Sequence, residues 1–252
     1  MSVKQPSFRK LHNGPVRPSR WTGPLPGPDV RTAEDLKDVL AYPGCGVAGP
    51  VYSMYRNVAR TPEDLLWMQS RELRFDITVI PPCDLCGEYI KTKGHYHPKD
   101  PSGTGYPEIY EVLAGEAHYL IQTDTCSDVV LISARAGDVV VVPSGYGHVT
   151  INPSRRSVLE MANIVSSRFS SRYREYEEQH GAAYYEMVNG EFVKNPAYAD
   201  VMPLRLVQAK PLVDLSDTIP DPLYNLIEQR ASILDFLNYP EKYESLFRDL
   251  YP

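Results

Sequence analysis

A chain of 252 residues with 42% hydrophobic and 23% charged residues has the composition of an ordinary globular protein, and is longer than one small β-domain requires. Its net charge of −6 denies it the basic field of a general nucleic-acid binder. No apolar N-terminal stretch resembles a signal peptide, and no apolar run approaches the roughly 18 residues of a membrane span. Four cysteines, Cys45, Cys83, Cys86 and Cys126, are too few for a disulfide framework and are expected as free thiols in a reducing cytoplasm. Cys83 and Cys86 form a lone C-x-x-C, which cannot complete a four-ligand zinc site and is expected in a turn.

In chain order, residues 1–30 are rich in Pro and Gly and predict an extended arm. Thr32, followed by Glu34 and Asp35, is an N-cap signal for a short helix; Thr61-Pro62-Glu63-Asp64 is another. From Leu73 to Val165 short β-rich runs alternate with turn signals: RFDITVI, EYIKT, EIYEVLAG, AHYLIQ, DVVLIS, DVVVV, HVTIN and SVLEMANIV. Strands at this spacing predict a sandwich or barrel. Beyond it, SRYREYEEQHG predicts a polar helix ending at Gly181, and AAYYEMVNGEFVKN a hairpin turning at Asn189-Gly190. The segment DPLYNLIEQRASILDFL predicts an amphipathic helix with Leu223, Leu226, Ile227, Leu234 and Leu237 on one side, packed on the β-domain or on a second subunit.

The chemistry is carried by histidine and glutamate. His95 and His97 stand at i and i+2, which on a strand share one face, so both imidazoles can hold one ion. Glu108 opens the next strand, and His148 follows the PSGYG turn. Three imidazoles and a carboxylate suit one divalent metal ion per subunit, Fe(II), Mn(II), Ni(II) or Zn(II), without selecting one strongly, and leave positions open for a substrate. A histidine on its own is more often a packing residue than a ligand, and His12, His118 and His180 are expected as surface or packing residues.

Gly137, Pro143, Gly145, His148 and Asn152 match in full the pattern G-x5-P-x-G-x2-H-x3-N, and His95-x-His97 with Glu108-x6-Gly115 matches its partner motif. In these residues the chain resembles the cupin superfamily. Two features depart from the pattern: a longer gap, PKDPSGTGYP, between His97 and Glu108, with Glu111 the fallback ligand, and a glycine, Gly87, out of register. The resemblance implies a mainly β fold, a cupin double-stranded β-helix or jelly-roll barrel. A Pro-rich arm and short helix would span 1–50, the metal-binding catalytic barrel 51–200, and a helical extension 201–252.

The segment Thr92-Lys93-Gly94-His95-Tyr96-His97 with Pro107-Glu108-Ile109-Tyr110 is similar to the archaeal-type cupin glucose-6-phosphate isomerases, and the likeness runs from about Thr78 to Pro196. It implies that His95, His97, Glu108 and His148 bind the metal, and that Thr78, Thr92, Gly94 and Tyr110 line a sugar-phosphate site. Tyr173 matches one of the residues that the family places near the sugar; Val165 and Ser171 stand where it has a tyrosine and a histidine. The implied activity is aldose–ketose isomerisation between glucose 6-phosphate and fructose 6-phosphate, with Glu108 as base or ligand and Tyr173 positioning the sugar. The implied partners are a phosphorylated sugar and a second copy in a homodimer, with no nucleic acid and no membrane. Another metal-dependent cupin enzyme, such as a dioxygenase, and a non-catalytic sugar-phosphate-binding cupin remain open.

Overall fold

A computed structural model describes residues 9–10, 14–209, 222–247 and 250–251. The rest of the expected N-terminal arm, His12, and Asp221 at the head of the expected C-terminal helix lie outside the described residues.

Two sheets carry the fold. One has six strands in the order Val139–Val142, Glu108–Ala114, Leu159–Ser166, Leu73–Ile80, Pro50–Tyr55 and Asp29–Thr32. The other has four: Tyr146–Ile151, Glu116–Thr123, Val129–Arg135 and Arg205–Gln208. The β-rich runs from Leu73 onward become strands, apart from EYIKT, which forms only the short strand Glu88–Tyr89 and a bridge at Lys91. The two sheets make the expected mainly β, cupin jelly-roll architecture, with neither sheet closing on itself among the described residues. Isolated bridges, His95 with His148 and Lys91 with Ile151, link the segment carrying the H-x-H motif to the four-stranded sheet.

The six-stranded sheet is buried on both faces, and the period of 2 along each strand divides its residues cleanly. Phe75, Ile77, Val79, Ile109, Ala162 and Ile164 point outward into an apolar cluster. Thr78, Glu108, Tyr110, Met161 and Asn163 point inward to a cavity. The outer cluster is closed by the helix Pro62–Ser70 and by Leu223, Leu226, Ile227, Leu234 and Leu237, each at most 1% exposed. The predicted apolar side of the C-terminal segment is therefore what packs. It does so not as one helix but as a turn of α-helix, Asn225–Glu228, and a 3-10 helix, Ser232–Leu237, broken at Arg230-Ala231. Arg230 has φ 55°, which no helix continues through. Glu111 fixes the segment's start by accepting from Leu223 N at 2.6 Å.

Flanking segments also supply strands. Asp29–Thr32 extends the six-stranded sheet, and Arg205–Gln208 pairs parallel with Val129–Arg135 at the edge of the other. Both expected caps form: Thr32 and Asp35 make a capping box, and Thr61 Oγ1 accepts from Asp64 N at 3.1 Å. The polar helix covers only Arg174–Glu178, and the expected hairpin forms as Tyr184–Glu186 against Phe192–Lys194.

The cysteines depart from expectation. Cys45 and Cys86 are joined in a disulfide across 41 residues of sequence, while Cys83 and Cys126 are buried without a disulfide. The bridge pins the loop after the first helical turns to the Asp84–Tyr89 hairpin; Cys45 carries no sequence signal because its partner is close only in space.

Candidate metal centre

His95 and His97 lie on a short extended run whose backbone pairs with His148: His95 N donates to His148 O at 3.2 Å and His148 N to His95 O at 3.0 Å. That bridge places three imidazoles together. The ligating atoms of His95, His97, Glu108 and His148 all lie within 4.8 Å of one another. Nε2 of His95 and of His97 are 3.1 Å apart, and Glu108 Oε2 is 3.3 Å from Nε2 of both His97 and His148.

Glu108 and Glu111 are an odd number of residues apart on one strand and so face opposite ways. Glu108 turns to the imidazoles and Glu111 to the outer cluster, so the long gap before Glu108 has not displaced it. That inserted segment loops out, with Pro101, Ser102 and Gly103 exposed. It also contributes: His97 Nδ1 donates to Tyr106 O at 2.9 Å, which fixes the tautomer and leaves Nε2 as a lone-pair donor toward the cluster.

The electrostatics suit a cation. Burial, then the neighbouring His148 and His97, hold the His95 imidazole well below its usual value; burial likewise lowers His148. Both are neutral near pH 7 and can ligate without losing a proton. Burial pushes the Glu108 carboxyl up, but the neighbouring His148 and His97 imidazoles outweigh it and hold the group well below the usual carboxylate range. Asn163 Nδ2 donates to Glu108 Oε1 at 2.6 Å, whereas Oε2, buried amid the imidazoles, has no hydrogen-bond partner. A buried, charged oxygen without a hydrogen-bond partner, facing three imidazole nitrogens, is a costly arrangement that a divalent ion would relieve. Donors around one ion at about 2.0–2.2 Å lie at most roughly 4.4 Å apart, so the observed spread needs only small side-chain adjustment. The donor set fits one divalent metal ion.

The centre opens into a small, part-open cavity. Thr78, Thr92, Gly94, Tyr110 and Tyr173 all line it. Thr92 Oγ1 accepts from Thr150 N at 2.9 Å, which leaves its own proton to donate. Gly94 has φ 80°, and a Cβ there would sit 2.6 Å from Val149 Cγ2 and 2.8 Å from the Tyr176 ring, so no other residue fits. Tyr110 OH is 2.9 Å from His148 Nε2; burial, then the charge of Glu108, keeps the phenol protonated as a donor. The Tyr173 ring lies 5.4 Å from that of His95. Ser171 lines the cavity, whereas Val165 does not. Of the other histidines, His118 lies 2.9 Å from the Glu186 carboxylate and His180 is exposed.

Sequence reasoning missed Tyr52, Arg56, Arg74 and Asn163, which also line the cavity. Tyr52, Arg74 and Asn163 stand on strands outside the two motifs, and Arg56 directly follows the strand Pro50–Tyr55. Only the inward parity of 52, 54 and 56, and of 74, 76 and 78, would have signalled them.

The family model described as glucose-6-phosphate isomerase (GPI) matches residues 30–203. The chain belongs to that family. The Thermococcus kodakarensis glucose-6-phosphate isomerase is 31% identical over 147 residues, 56% of this chain and 72% of its own length. That of Thermococcus litoralis is 33% identical over 91 residues, 36% of this chain, so the match spans under half, 45%, of that relative. Among solved structures, Bacillus subtilis oxalate decarboxylase is 18% identical, covers 49% of this chain and 28% of its own, and overlays with a TM-score of 0.34, too shallow to bear on function. The family model reaches from the strand Asp29–Thr32 to just before Arg205–Gln208, and so takes in the whole metal centre.

Proposed function

We propose that the chain is a metal-dependent aldose–ketose isomerase interconverting glucose 6-phosphate and fructose 6-phosphate. The observation that carries this is one cavity combining a three-histidine, one-carboxylate centre with hydroxyl, backbone and cationic donors suited to a phosphosugar. His95, His97, Glu108 and His148 would hold the ion, Fe(II) first, with Mn(II), Ni(II) and Zn(II) as alternatives; when bound it supplies a Lewis acid for the carbonyl and hydroxyl oxygens at C1 and C2.

The side chains divide the remaining work. Thr78, the Thr92 hydroxyl and the backbone at Gly94 hold the phosphate, with Lys93 adding charge, so binding energy at the unreactive end orients C1 and C2. Tyr110, kept protonated, donates to a sugar oxygen. Tyr173, beside His95, positions the sugar during ring opening. For Glu108 the surroundings favour ligation over proton abstraction. Asn163 occupies one oxygen, the imidazoles face the other, and its lowered affinity for a proton makes it a weak base. That favours direct hydrogen transfer between C2 and C1.

One assay tests the reading. Metal-stripped protein resupplied with Fe(II) or Mn(II) should convert fructose 6-phosphate to glucose 6-phosphate, chelator should stop it, and His97→Ala should lose both metal and turnover. Absence of turnover with all four metals would falsify the isomerase. Ser171, in the cavity where the resemblance expects a histidine, favours the second reading, a sugar-phosphate-binding cupin; binding without turnover would select it. The polar, cationic lining weighs against a dioxygenase with an apolar substrate.

We place the enzyme in the cytoplasm, where phosphosugars are metabolised, as a homodimer. The Arg205–Gln208 edge strand, with Leu206 62% exposed near the exposed Met202, supports a protein contact there. Light scattering at the mass of one chain would count against the dimer. No helix among the described residues is long and apolar enough to cross a membrane.

A further inference from the structure

Two guanidinium groups converge on one carboxylate in the wall of the cavity. Asp76, wholly buried, accepts from Arg56 Nη1 at 2.7 Å and from Arg74 Nε at 2.8 Å through Oδ2, and from Asn57 N at 3.0 Å through Oδ1. The carboxylate is thus fully used in holding the two arginines, and two positive charges face one negative. Of the other carboxylates near Arg56, Asp29 is 3.8 Å from its Nε and 70% exposed, so solvent screens it, while the Glu108 carboxylate, whose charge also acts on Arg56, is turned to the three imidazoles. Both arginines line the cavity that holds the metal centre, and neither is spent on its partners: their side chains are 31% and 26% exposed. Arg56 Nη2 points at Met54 Sδ at 3.0 Å, a thioether and a poor acceptor that an anionic oxygen would readily displace.

The position of this pair matters as much as its charge. Thr78, in the phosphate-binding set, and Asp76 share the inward face of one strand, about 7 Å apart along it. That is close to the length of an extended six-carbon chain. Glu108 stands on the same sheet two strands away, and the Asn163 that holds its carboxylate pairs with Asp76 in register. A ligand anchored by its phosphate at Thr78 and lying along this strand under the metal centre brings its far end to Arg56 and Arg74.

We infer that Arg56 and Arg74, gathered by Asp76, form a second anion-binding subsite, and that the cavity binds six-carbon sugar derivatives anionic at both ends more tightly than those anionic at one. The far group is a carboxylate or a second phosphate; both present the oxygens that a guanidinium fork recognises. This rests on the sugar-phosphate reading of the cavity given above.

The test uses Mn(II)-loaded protein and three non-isomerisable ligands measured by calorimetry: glucitol 6-phosphate, neutral at C1; gluconate 6-phosphate, with a carboxylate there; and glucitol 1,6-bisphosphate, with a phosphate. At least one ligand anionic at both ends should bind about tenfold or more tightly than glucitol 6-phosphate, and which one does so names the group. Arg56→Gln should bring that ratio to within about twofold, and Arg74→Gln, which leaves the Arg56–Asp76 pair, should reduce it by about threefold. A ratio that persists in both variants belongs to the metal ion and overturns the subsite. Equal binding of all three ligands by the native chain overturns it too, while leaving the sugar-phosphate reading intact. Failure of every ligand to bind overturns both.

Discussion

Among single residues, Asn163 carries weight that its type would not suggest. It is 3% exposed, and its amide holds Glu108 Oε1, so that Oε2 is the oxygen presented to the imidazoles. Asn163→Leu keeps the branched shape of the side chain but removes the donor. Metal affinity should then fall by about 10- to 100-fold, as it does when a ligand's outer partner is lost. Calorimetric titration with Mn(II) checks this; an unchanged dissociation constant would mean that packing alone orients Glu108. His97 is oriented differently, by a backbone carbonyl that no side-chain substitution removes. The ligands themselves were legible because H-x-H on a strand fixes a shared face. Asn163 was not: nothing local distinguishes a buried asparagine that orients a ligand from one that satisfies the backbone, as Asn152 does by donating to Ile80 O and Ser157 O.

Between elements, the C-terminal segment is held to the helix Pro62–Ser70 by a polar clasp on an apolar bed. Asp64 accepts from Tyr224 OH at 3.0 Å and pairs with Arg230 Nη1 at 2.9 Å. Burial raises the Asp64 carboxyl, but hydrogen bonds from Tyr224, Arg230 and Thr61 more than offset it and leave the group below its ordinary value. A depressed carboxylate stabilises the fold above its unfolded pKa, near 3.8, and that contribution is lost as pH falls through the lower folded value. Asp64→Asn should therefore cost about 1–2 kcal/mol at pH 7, Arg230 being part exposed and screened, and should flatten the acid limb of stability against pH. Urea unfolding from pH 6 to pH 3 compares the two; parallel curves would show that the clasp contributes nothing. The caps at Thr32 and Thr61 were legible in the sequence because capping is local. The break at Arg230-Ala231 was not, because the segment follows the sheet it covers rather than its own helical period.

Across the whole molecule, the Cys45–Cys86 bridge is the one covalent cross-link among the described residues. Closing a loop of 41 residues restricts the unfolded chain by about 4 kcal/mol as an upper estimate. Reduction with dithiothreitol should lower the urea midpoint accordingly, and thiol labelling under denaturing conditions should rise from two cysteines to four. Labelling of all four without reductant would show the bridge unformed. A reducing cytoplasm would act on the same bond. By itself the sequence determined which residues could share a face: the spacing of His95 and His97, the odd offset between Glu108 and Glu111, and the alternation along each strand follow from a period of 2 that needs no tertiary information. Tertiary structure decided which face turned inward. A strand is indifferent to the choice until one side is covered; here the C-terminal segment buries Phe75, Ile77 and Ile109 and so commits Arg74, Thr78 and Glu108 to the cavity.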